Sequence, residues 1–191
     1  MKKRIACLLV VASLVPALAT AGNWSIDDAR SKIGFQYQAM GATLDGEFPQ
    51  YMADIELDPA KPDQAQITLD VTTAKTDAGN PDATAEVGSP LFFDSRRYPT
   101  ARFASSRIQP QGNGRFLVEG KLSVKGITRP AGIPVMLKTE GKNQRLTGTF
   151  KLNRLDYRIG EGMWADTSAL ANEVKVAFSL LLVPKPSRKT P

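Results

Sequence analysis

Along most of the chain, apolar and polar residues alternate one for one. Ile33, Phe35 and Tyr37 are separated by Gly34 and Gln36, and Ile55 and Leu57 sit between Asp54, Glu56 and Asp58. Ile67, Leu69 and Val71 alternate with Thr68 and Asp70, and the same beat returns over 116–124, 146–152 and 174–180. Successive side chains of a strand point to opposite faces, so a period of two sets an apolar face against a wet one. Turn signals fall between the runs: Asp58-Pro59, Lys61-Pro62, residues 111–114, Arg129-Pro130 and residues 141–143. The 111–114 stretch, Gln-Gly-Asn-Gly, reads as a hairpin loop. The pattern predicts an all-β domain, an antiparallel barrel or sandwich of about eight strands. Residues 82–89, after Asn80-Pro81, and residues 166–172 break the alternation and are expected to form one or two short helical turns. No internal repeat and no second domain are visible.

The first residues follow a different rule. Lys2, Lys3 and Arg4 precede an apolar stretch over 5–18, and Ala19-Thr20-Ala21 resembles a small-residue cleavage site. This is the build of a signal peptide over 1–21, which predicts cleavage near Ala21 and a periplasmic or secreted protein. Cys7, the single cysteine, lies too early for a lipoprotein anchor and leaves with the leader. Three of the 25 basic residues leave too, so 22 remain against 19 acidic ones, a net charge of about +3. Part of that excess lies in a basic tail over 184–191, expected to be disordered. No basic face is clustered enough to suggest nucleic acid.

The residue inventory removes whole classes of chemistry. The chain has no histidine, so a Ser-His-Asp triad, a zinc-histidine site and a haem axial histidine are all excluded for it alone. Without Cys7 there is no thiolate. No P-loop appears, and Gly88-Ser89-Pro90 lacks the spacing of a nucleophile elbow. Carboxylates remain. Asp54, Glu56 and Asp58 are spread along one strand face and are better read as a solvated outer surface than as a calcium loop. Asp156, Glu161 and Asp166 flank Trp164, which leaves a two-carboxylate hydrolase as an open, minor alternative. Aromatic residues occur on nearly every expected strand. An eight-stranded barrel either fills with such side chains or holds one slender ligand, and periodicity does not choose between those outcomes.

Five ordered blocks carry a resemblance to a known family. They are Trp24-Ser25-Ile26-Asp27 with Ser31, Ile33 and Phe35; Gly46-Glu47-Phe48; Ser89 to Asp94 with Tyr98 to Phe103; Gly120 to Thr128; and Arg154-Leu155-Asp156-Tyr157 with Gly160, Gly162, Trp164 and Val174. Together they span almost the whole mature chain and resemble the YceI-like family. The resemblance implies an extended, lipocalin-like antiparallel β-barrel over 22–183. It also implies a non-enzymatic periplasmic carrier that takes a polyisoprenoid lipid, such as a quinone or prenyl phosphate, into an apolar tunnel. No cofactor other than that lipid is expected. One position departs from the pattern: Glu86-Val87 stands where many relatives carry His-Leu.

On that reading Phe35, Tyr37, Phe48, Phe103, Phe116 and Trp164 are the candidate tunnel wall. Arg154 is the candidate partner for a head group at the mouth, with a salt bridge to Asp156 as its plainer role. No catalytic and no metal-binding residue is expected. The competing reading is a filled barrel that serves as an envelope interaction module, its partner a membrane cytochrome or the membrane surface. The oligomeric state is open, with a homodimer among the options.

Overall fold

The computed structural model describes residues 22–185. The expected leader over 1–21 and most of the basic tail lie outside them. Ten strands follow in chain order: β1 (Gly22–Ile26), β2 (Lys32–Ala39), β3 (Ala42–Glu47), β4 (Tyr51–Leu57), β5 (Gln66–Thr72), β6 (Thr100–Gly112), β7 (Arg115–Val124), β8 (Ile127–Glu140), β9 (Asn143–Asn153) and β10 (Glu173–Pro184). One α-helix, α1 (Pro81–Val87), interrupts the series. All pairings are antiparallel, and β1 bonds to both β4 and β10, which closes the sheet into a barrel. β1 and β2 share the same edge of β10, and β3 runs on into β4. The ten segments therefore act as eight staves, two of them broken.

The first break shows how the chain keeps its register. Residues 27–31 bulge through a 3₁₀ turn, Asp28–Arg30, started by Asp27, whose carboxylate accepts from the Arg30 amide at 3.1 Å. Leu181 of β10 spans the bulge. Its carbonyl accepts from the Asp27 amide at 2.9 Å, and its amide donates to Ser31 Oγ at 2.8 Å. A strand edge that would otherwise go unpaired is thus satisfied on both groups.

The sheet has two unlike ends. One end carries the β6–β7 and β8–β9 hairpins, the first turning through Asn113-Gly114 with φ of 52° and 73°, the left-handed pair that a two-residue hairpin requires. Trp24, Leu57, Ile108 and Leu182 pack the barrel floor there, all under 9% exposed. Trp24 Nε1 donates to Leu57 O at 2.8 Å, so its one polar group is paired inside the packing. The other end carries the two long connections, residues 73–99 with α1 and residues 154–172 with two 3₁₀ turns, Arg154–Tyr157 and Gly162–Ala165. These connections fold over the barrel and bond to each other, with Gly160 N and Glu161 N both donating to Leu91 O.

Three sequence expectations change. Residues 166–172 form no helix: Asp166 Oδ1 accepts from Ser168 N at 2.9 Å and makes a local turn, and the helical turn lies just before it. Arg129-Pro130 does not end a strand, since β8 runs through both Pro130 and Pro134. The reason lies in the pairing. Over 127–134 β8 bonds only to β7, and its ladder to β9 begins at Val135. Proline lacks an N–H and is tolerated on an edge, and the upper half of β8 is an edge on that side. Pro184, placed in the tail from sequence, instead ends β10 and pairs with Trp24.

Candidate functional site

Above the packed floor the barrel is hollow. A cavity of about 480 Å³ runs up to the two capping connections, within the usual range for small-molecule pockets. Its wall is built by the inward positions that alternation supplied, among them Ile55, Leu69, Val118, Ile133, Val176 and Leu180. Trp24, Leu57, Ile108 and Leu182 lie beneath it and border none of it. The cavity is therefore a blind pocket. The apolar tunnel implied by the resemblance is closed at the far end, where four large buried side chains fill the barrel.

Glycines keep the space open. A Cβ on Gly120 would lie 2.7 Å from Phe103 Cζ, and one on Gly148 would overlap the Phe178 ring. On the neighbouring strand a Cβ on Gly46 would overlap Phe35. Each ring lies down over a glycine and against the wall, as aromatic side chains do across strands when the opposite position is bare. With a side chain in those positions the rings would be driven into the lumen.

Three of the six proposed wall residues, Phe35, Tyr37 and Phe48, lie together, and Trp164 borders the cavity from the capping connection. Phe35 and Tyr37 follow each other up β2, with ring centroids 5.9 Å apart, and Phe48 stacks on Phe35 at 4.7 Å. Phe48 meets Phe93 of the capping connection edge-on at 6.3 Å, and Trp164 meets Phe92 at 5.8 Å. Tyr37 donates its hydroxyl to Ala78 O at 2.7 Å, so the stack also pins the cap to the wall. Burial, and then the negative charge of Asp77, push that hydroxyl above the ordinary tyrosine range, and it stays protonated. Phe103, on β6, lines the cavity as well. Phe116 does not line the cavity. It lies low on β7, packs against the core, and borders a shallow outer depression with Arg115 and Leu117.

Arg154 is placed differently from expectation. It is 2% exposed, and all five of its N–H donors are taken by backbone carbonyls. Nε donates to Ala171 O, Nη1 to Ile159 O and Gly160 O, and Nη2 to Trp164 O and Leu170 O, at 2.6–3.0 Å. Burial pulls its guanidinium below the usual arginine value. It makes neither a salt bridge to Asp156 nor a free contact at the mouth. It is the hub that folds residues 154–172 over the barrel. Five acceptors converging from one loop could not be foreseen from spacing.

Of the rim, the sequence singled out Glu86 alone. Met40, in the β2–β3 turn, is 73% exposed yet borders the cavity, as do Leu44, Asn80, Asp82 and Glu86. The mouth therefore lies between that turn and α1. The turn residue is in the left-handed region, with φ of 50° for Met40. Asn80 accepts from Ala83 N at 2.8 Å and starts α1, which places Asp82 and Glu86 four residues apart on neighbouring helix positions. Asp156, Glu161 and Asp166, the carboxylates of the hydrolase alternative, do not border the cavity. Among the described residues, no cluster of three groups suited to a metal ion occurs.

A closed antiparallel barrel with an apolar blind pocket and a capped mouth defines a lipocalin-like protein. The YceI-like domain matches residues 24–182, and the chain belongs to that family. Among solved structures, BcnA of Burkholderia cenocepacia is similar at 33% identity with a TM-score of 0.79, covering 82% of this chain and 98% of that one. A polyisoprenoid binding domain from Saccharophagus degradans shares the fold at 13% identity and a TM-score of 0.66, over 86% of this chain and 99% of that one. A UPF0312 protein of Shewanella baltica is 29% identical over 75% of this chain and 77% of its own length.

Proposed function

We propose that this protein is an exported, non-enzymatic carrier that holds the chain of a polyisoprenoid lipid in the barrel cavity. The observation that carries the reading is the cavity itself: about 480 Å³ of space bounded by aliphatic and aromatic side chains and blind at the far end. Burial of a CH₂ stabilises by roughly 0.8 kcal/mol, so one five-carbon unit contributes on the order of 4 kcal/mol without any polar contact. A few units outweigh the ordering that binding requires. The likeness to a domain described as polyisoprenoid binding supports the choice of lipid. Family membership and the leader-like residues 1–21 support export. A filled barrel with a protein partner is disfavoured by the same cavity.

The test is native mass spectrometry with lipid extraction on protein made in its own host. A prenyl lipid held one to one is the expected result. Protein recovered empty from lipid-replete envelopes, and unable to take up a prenyl lipid afterwards, refutes the carrier.

A further inference from the structure

The cavity wall is apolar, but its rim is not neutral. Asp82 and Glu86 both border the space. Glu86 is half-buried, and only its Oε1 is engaged, accepting from Ser89 Oγ at 2.7 Å. Asp77, just before the helix, adds a third negative charge beside Tyr37. Against these stands one lining cation, Arg154, and its five donors are already committed to carbonyls. Other basic residues at this end do not border the cavity among the described residues. Lys125 and Arg158 are tied to Glu161, and Arg97 lies over the Tyr98 ring at 5.3 Å.

A phosphate brought to this mouth would meet carboxylates, and no described residue that borders the cavity offers it the free N–H fork from which anion sites are built. Like charges near an apolar wall repel more strongly than in open water. A hydroxyl faces the reverse situation, because a carboxylate oxygen with spare lone pairs is a strong acceptor. We infer that the rim of α1 selects the head group: Glu86, helped by Asp82, admits an uncharged, hydroxyl-bearing prenyl lipid, a prenol or a quinol, and turns away prenyl phosphates. The inference rests on the carrier reading above.

The experiment uses the full mature protein, stripped of lipid. Farnesol and farnesyl monophosphate are titrated separately against a bound fluorescent fatty-acid probe. The wild type is expected to release the probe at a farnesol concentration at least tenfold below that for the phosphate. The two ligands differ in lipophilicity, so the charge variants carry the decision. E86Q combined with D82N should narrow the ratio several-fold. E86K should narrow it further or invert it, because farnesol loses its carboxylate acceptor while the phosphate gains a cation. A wild type that prefers the phosphate, or a ratio identical in wild type, E86Q/D82N and E86K, overturns the selection and leaves the carrier standing. Failure of both ligands to displace the probe overturns the carrier and the selection with it.

Discussion

Ala53 lies on the inner face of β4, opposite Leu69, and its methyl borders the cavity. Phenylalanine there would add a ring to the lumen and occupy at least the room of one five-carbon prenyl unit. That unit is worth on the order of 4 kcal/mol of buried hydrocarbon. At about 1.4 kcal/mol per decade, the loss is roughly a thousandfold in affinity for a lipid that fills the pocket. The lipid-free protein should change in the opposite sense. Filling an existing void commonly adds about 0.5–2 kcal/mol, which for a domain of this size raises Tm by a few degrees, at roughly 2–4 °C per kcal/mol. The assay pairs a prenol titration with thermal melts of stripped wild type and A53F. Weaker binding with a higher Tm is the expected pair. Unchanged binding together with a lowered Tm would mean that the ring is forced into an already packed interior, and the argument from the hollow barrel would be refuted.

R154M removes the hub of five carbonyl acceptors and should destabilise by roughly 3–5 kcal/mol, seen as a drop in denaturant midpoint. A variant that keeps full stability and loses only head-group affinity would restore the role first expected for it. Trp164 borders the cavity and Trp24 lies in the floor beneath it, so a brominated fatty acid should quench the W24F variant strongly and the W164F variant weakly. Glu161 joins two connections at the capped end, and its hydrogen bond from Arg158, then that from Lys125, hold its carboxyl below the usual range. A depressed folded value contributes stability above the unfolded value, near 4.5, that is lost as pH falls through the folded one. Amide protection over 154–172, exchange measured against the intrinsic rate at each pH, should therefore fall at acid pH in wild type, with E161Q showing the lower protection already at neutral pH. G120A should push the Phe103 ring inward and lower both Tm and lipid occupancy.

The wall of this protein was legible because it obeys a local rule. Each of Ile55, Leu69, Val118 and Val176 faces inward for no reason beyond period two, and the hairpin at Asn113-Gly114 follows from turn chemistry alone. The helix at Pro81–Val87 was also readable, since Asn80 and Pro81 announce it. What escaped depends on partners distant in sequence. Trp24 and Leu182 plug the floor only because β1 lies between β4 and β10, and no local pattern tells a plug from a wall. Phe116 obeys the same alternation as Phe103 but stands lower on its strand, beneath the hollow part. Arg154 looked like a ligand for an anion because its acceptors come from up to 17 residues away.

The prolines of β8 have a mechanical outcome. From Ile127 to Pro134 the strand is laced to β7 and unlaced from β9, and Ile133 and Phe150, one on each side of that seam, belong to the same packed core. Backbone ladders resist stretching; packed hydrocarbon slides. One flank of the pocket is thus an expansion joint, where the girth of the barrel can change without a single rung being broken.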